Sequence, residues 1–182
     1  MNMKFILALS VVTASMIFCA GTSYASDGTI TINGQLSSAT CTVKLNNGSS
    51  SGTVTLPSVS TTTLPTSGSV AGATNFALNL SGCTAGKTIN AYFEAGPTVD
   101  TVTGNLLNGT TAGNATNVEV QLLTDASTPI SVGSSAQATS KNIVTSGTVT
   151  SGILNYAAQY YATGVTTAGP VSTSVTYSLT YN

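Results

Sequence analysis

Apolar and β-branched residues recur at every second position along most of this chain, and that period of two excludes most folds. "TVTLP" (53–57), "NFALNLSGC" (75–83), "TINAYFE" (88–94), "NVEVQLL" (117–123) and "STSVTYSLTY" (172–181) alternate, or run apolar, with Val, Ile, Thr, Tyr and Phe. Successive side chains of a strand point to opposite faces, so these segments read as strands with one face in a core. "ILNYAAQYYA" (153–162) contains good helix formers. Its tyrosine density and its neighbours nevertheless make it a strand, buried on both faces. Between the segments stand "NNGSSSG", "PTSGSVAGA", "LNGTTAGNAT" and "GSSAQATS", clusters of the residues that turns use. Strands at this spacing predict an all-β sandwich. No charge boundary or long linker interrupts them, which predicts one domain.

The first 25 residues stand apart from that pattern. Lys4 supplies a positive start, "FILALSVVTASMIF" an apolar stretch, and "SYA" a small-x-small site before Ser26. This is the design of a secretory signal peptide, with cleavage expected after Ala25. No later segment is apolar for long enough to span a bilayer, so the mature chain, 26–182, is expected to be exported without a membrane span. Cys19 leaves with the signal peptide, and Cys41 and Cys83 remain as an even pair. In an exported chain they read as a disulfide, worth about 4 kcal/mol for a loop of this length. Two cysteines and no histidine are too few for a metal site, and no metal or cofactor is expected.

The same composition removes several function classes. Charged residues are 5% of the chain, with no His and no Trp, and the four basic residues are all Lys. No basic face is available, so nucleic acid is excluded as a partner. Without His there is no Ser-His-Asp or Cys-His arrangement. Asp27, Glu94, Asp100, Glu119 and Asp125 are scattered and mostly beside turns. Glu119 falls on the polar phase of its strand and is expected on a solvated face rather than in a glycosidase pair. The Asn-x-Ser/Thr triplets at Asn47, Asn79, Asn108 and Asn114 are expected by chance in so Ser/Thr-rich a chain. A surface this poor in charge suits a protein packed against copies of itself.

"DGTITINGQL" (27–36) poses the sharpest local question. Asn33-Gly34 is a strong hairpin-turn signal, yet Gly34 is also in phase with Ile30, Ile32 and Leu36. "QLSS" is a poor partner for an Ile-Thr-Ile strand, so one extended strand is the better reading. Gly34 then marks a place where another backbone or bulky side chain approaches closely.

Taken together and in order, these segments resemble the pilins of chaperone–usher fimbriae, the type 1-like fimbrial protein family, along the whole mature chain. "DGTITINGQLSSATC" is similar to the family's alternating extension ahead of its first cysteine. "TVTLPSVSTTTLPTSGSVAGATNFALNLSGC" resembles its run from a Leu-Pro strand end to a strand closing on Gly-Cys. "AQYYATG" and "VSTSVTYSLTYN", with penultimate Tyr181, resemble its C-terminal block. "INAYFE" and "TGNLLN" further resemble the branch whose tips bind N-acetylglucosamine-type sugars.

The resemblance implies an incomplete immunoglobulin-like β-sandwich, completed in trans by a donated strand. The implied partners are a periplasmic chaperone, an outer-membrane usher, and other copies of the chain or sister pilins. Ile30, Ile32, Gly34 and Leu36 would be the donated face of a 26–36 extension. Val175, Tyr177, Leu179 and Tyr181 would belong to the strand bordering the acceptor groove of the 37–182 domain. The implied role is a non-enzymatic structural subunit of a surface fimbria, supporting adhesion. The alternatives are a carbohydrate-binding tip adhesin, a minor adaptor subunit or, more remotely, a secreted β-sandwich enzyme.

Overall fold

The structure is a computed structural model and describes residues 31, 36, 40–139, 143–145, 147 and 150–182. The signal segment 1–25 and Ile30, Ile32, Asn33 and Gly34 lie outside the described residues, so the hairpin question does too. The chain divides between Leu36 and Ser37, and every element below belongs to the compact unit Ser37–Asn182.

The described strands are β1 (Thr42–Leu45), β2 (Val70–Ser81), β3 (Thr88–Phe93), β4 (Leu106–Leu107), β5 (Val118–Thr124), β6 (Ile143–Val144), β7 (Gly152–Ala162) and β8 (Tyr177–Tyr181). A single 3-10 turn, Thr61–Thr63, is the one helical element among the described residues. One sheet runs β1-β2-β7-β5-β4 and the other β6-β3-β8, with every pair antiparallel. This is the all-β sandwich that the alternation predicts.

Period-two patterning decides what faces inward. On β2, Phe76, Leu78 and Leu80 lie opposite Tyr156, Leu154 and Gly152 of β7 and enter the core. Ile89, Ala91 and Phe93 supply the facing side from β3. Tyr156 joins the two sheets, its ring 5.6 Å from that of Phe76 and edge-on to Phe93 at 5.1 Å. "ILNYAAQYYA" is a strand, as expected, but only Tyr156–Ala158 and the flanking Leu154 and Ala162 are buried. Ile153 is exposed, so burial on both faces holds only at its centre.

Two local devices hold the sandwich. Cys41 and Cys83 form a disulfide just beyond the paired Thr42 and Ser81, closing the open end of the β1–β2 pair. β6 pairs only with Thr88 and Ile89, at the start of β3. At the far end of β3 the Gln137 side chain takes over: its Oε1 accepts from the Phe93 N–H and its Nε2 donates to the Phe93 carbonyl, both at 3.0 Å. A primary amide presents one acceptor and one donor side by side, so it imitates a strand neighbour.

Two expected strands are missing as ladders. Residues 53–57 and 172–176 are extended but belong to no strand, although their burial alternates as a strand's does. Both border one groove.

Candidate functional site

An open groove of about 840 Å³ runs between the sheets. Its floor is built by inward residues of three elements, Phe76 and Leu78 of β2, Val120 and Leu122 of β5, and Ala158 and Tyr160 of β7. Val43 and Leu45 of β1 with Phe93 of β3 extend it. The extended segments 50–56 and 171–179 border it, contributing Val54 and Leu56 from the first and Val171, Thr173, Val175, Tyr177 and Leu179 from the second. Tyr177 ties the borders together, its hydroxyl donating to the Ser50 carbonyl at 2.7 Å. Burial pushes the Tyr177 phenol up, which keeps it a donor. The lining holds no Asp, Glu or Lys.

The backbone along 171–181 faces two ways. Thr88 and Asn182 exchange both backbone hydrogen bonds, and the Glu94 N–H donates to Thr176 at 2.9 Å. Alternate residues of an antiparallel pair turn their polar groups to the partner. Residues 176, 178, 180 and 182 therefore serve β3, and Val175, Tyr177, Leu179 and Tyr181 turn N–H and C=O to the opposite edge. Upstream, Ser172 and Ser174 are held from the β3 side as well: Asn108 Oδ1 accepts from the Ser172 N–H, and Thr98 Oγ1 donates to the Ser174 carbonyl. Val175, Tyr177 and Leu179 thus present an edge without a ladder partner among the described residues. Apolar side chains on the same residues enter the groove. Tyr181 does not line it; its side chain packs against the core and its hydroxyl accepts from the Cys41 N–H at 3.1 Å.

Thr173 is out of character in this wall. Its Oγ1 is shielded from solvent and has no hydrogen-bond partner among the described residues. A buried polar atom left in that state costs about 1–3 kcal/mol.

Leu36 is the one residue of the Ile30–Ile32–Gly34–Leu36 face among the described residues, and it is 101% exposed. Sequence reasoning missed most of the groove floor. Its residues alternate as any core strand does, and nothing in the pattern marks which part of a buried face is left uncovered.

Glu119 is a correction. It does lie on the outward phase of β5, across from Tyr161 of β7, but it is only 4% exposed. The connection between β3 and β4 folds over it, and its Oε2 accepts from Thr103 Oγ1 at 2.8 Å and Asn105 Nδ2 at 3.0 Å. Gln121 and Gln159 continue the row, Gln121 donating to Asn105 and Gln159 to Gln121. Burial holds the Glu119 carboxyl above its usual range against those two hydrogen bonds, and neighbouring Asp100 adds to the rise. Asp100 is held below its usual range by the N–H groups of Val102 and Thr103. This polar row braces the outer face of the larger sheet and has no part in the groove.

The family model for the type-1 fimbrial protein, A, matches residues 56–182. A major fimbrial subunit, SMF-1, of Stenotrophomonas maltophilia is 47% identical over 161 residues, covering 87% of this chain and 94% of the relative. The F17 fimbrial protein of Escherichia coli is 41% identical over 188 residues, covering 99% and 98%. Among solved structures, the Burkholderia pseudomallei antigen and type I fimbria protein BPSL1626 matches with a TM-score of 0.52 and 28% identity, covering 79% of this chain and all of that one.

Proposed function

Because the chain belongs to the type-1 fimbrial protein family and is a structural subunit of a cell-surface fimbria, we propose that it polymerises by strand donation. In this reading 1–25 is removed on export, 26–36 is the donated extension and 37–182 the acceptor domain. The observation that carries it is the groove: apolar inside, and bordered by extended segments whose edges lack a ladder partner among the described residues. An exposed strand edge beside apolar side chains invites strand addition.

The N-terminal segment fits as the occupant. Gly28–Leu36 and Val171–Leu179 have the same length in residues, about 30 Å when extended. Ile30, Ile32 and Leu36 would each gain roughly 1.5–3 kcal/mol on burial, before ordering costs. The fully exposed Leu36 and the division of the chain between Leu36 and Ser37 support an extension that serves another copy. Before assembly the groove needs a temporary occupant, the role of a periplasmic chaperone, and exchange takes place at an outer-membrane usher.

Deleting residues 26–36 tests the reading. Electron microscopy of cells expressing only that variant is expected to show no fibres; fibres of normal length would sink it.

A further inference from the structure

We propose that Asn108 and Thr98 are positioning residues that hold one border of the groove in strand geometry before any strand arrives, and so govern how fast one is taken up. This rests on the strand-donation reading and adds to it the two side chains that ready the edge. The ladder of β8 with β3 starts at Tyr177, across from Phe93, and one backbone hydrogen bond beyond it joins Glu94 to Thr176. β3 ends at Phe93. Residues 170–174, which bring Val171 and Thr173 to the groove wall, therefore have no strand beside them on that side among the described residues.

Side chains fill the gap. Asn108 directly follows β4, and its half-buried amide lies across Val171. Its Nδ2 donates to the Pro170 carbonyl at 3.2 Å, and its Oδ1 accepts from the Ser172 N–H at 2.8 Å. An amide offers a donor and an acceptor side by side, which here replace the N–H and C=O of a strand neighbour. A further bond, from Nδ2 to the Ala115 carbonyl at 2.8 Å, fixes the amide itself. The backbone N–H groups of Ala115 and Gly109 also reach the Pro170 and Ser172 carbonyls. Those donors serve carbonyls only. Asn108 supplies the acceptor for the Ser172 N–H, and Pro170 has no N–H to place. Two residues on, Thr98 Oγ1 donates to the Ser174 carbonyl at 2.7 Å.

With the polar groups of 170, 172 and 174 engaged on this side, those of Val171 and Thr173 turn to the open edge. A binding surface already held in its bound geometry is spared the ordering cost at the moment of association. Freeing a single backbone residue of this border would restore that cost, a factor of about ten in uptake.

Uptake of a fluorescently labelled peptide of residues 26–37 by the mature chain, kept dilute as monomer, is followed by anisotropy. Asn108→Ala is expected to slow association by about tenfold. Thr98→Val, which keeps the shape and removes the hydroxyl, is expected to slow it severalfold, and Thr98→Ser, which keeps the donor, to restore the natural rate. Thr145→Val separates this from general loosening. It removes the bonds of Thr145 Oγ1 with the Lys87 N–H and with the Thr84 and Lys87 carbonyls, at the opposite end of β3. It is expected to lower the melting temperature without slowing uptake. Natural rates in both Asn108→Ala and Thr98→Val overturn the inference, as does a slowing by Thr145→Val as large as theirs. Equal slowing by Thr98→Ser and Thr98→Val removes the role of the hydroxyl. A natural chain that takes up no peptide at all sinks the strand-donation reading itself.

Discussion

Glu119 illustrates how far one side chain's environment departs from its neighbours in sequence. Burial raises its carboxyl above the usual range, so its ionisation in the folded state works against the fold. A folded value above the unfolded one means a contribution that is complete below the unfolded carboxylate range and lost as pH rises through the folded value. Asp100 acts with the opposite sign, its contribution present above its unfolded value and lost on acidification. Glu119→Gln keeps an acceptor for Thr103 and Asn105 and removes the charge. Melting curves across the carboxylate range are expected to show the variant gaining on the natural protein as pH rises from acid to neutral, with no difference in acid. Parallel curves at all pH values would contradict this. The alternation of β5 shows that Glu119 faces away from the core. Only the fold of residues 99–107 over it shows that this face is not solvent.

At the scale of elements, the segment 171–179 is both a wall of the groove and an edge. Val175 is partly buried in that wall and its backbone faces away from β3. Val175→Lys is expected to change the stability of the isolated domain by less than about 1 kcal/mol, since a lysine stem covers apolar surface while its head reaches water. Fibre formation is expected to be lost, because that head would stand where the proposed donor strand runs. Normal fibres from this variant would remove Val175 from the interface. The comparison between sequence and structure is sharpest here. β2, β3, β5 and β7 were legible because their alternation is satisfied within the domain. "TVTLP" and the first half of "STSVTYSLTY" carry the same alternation and, apart from the Glu94–Thr176 hydrogen bond, form no ladder among the described residues. Periodicity reports that a segment is built to lie in a sheet; it does not report which molecule supplies the neighbour. The Gln137 clasp on Phe93 was illegible for a related reason, since an amide imitating a strand leaves no periodic trace.

At the scale of the whole molecule, the Cys41–Cys83 bond closes the β1–β2 pair in a domain whose 175–179 edge has no ladder partner among the described residues. Replacing both cysteines by alanine is expected to cost about 4 kcal/mol, lowering the melting temperature by roughly 10 °C. The loss should be largely recovered when a peptide of residues 26–37 is added, because anything that binds only the folded state stabilises it. Scanning calorimetry with and without the peptide measures both effects, and a melting temperature indifferent to the peptide would count against the groove as its site.

The Tyr181 hydroxyl on the Cys41 N–H pins the last strand to the point where the chain enters its domain. If the chain polymerises by strand donation as proposed, the surface a copy offers, its extension, differs from the surface it receives with, its groove. Such a contact has no two-fold axis: two copies joined by it are not equivalent, and the pair is not closed. A linear assembly of any length therefore keeps one vacant groove at one end and one undonated extension at the other. Growth built this way does not stop by symmetry, and its length is set by supply or by a terminal partner that lacks one of the two surfaces.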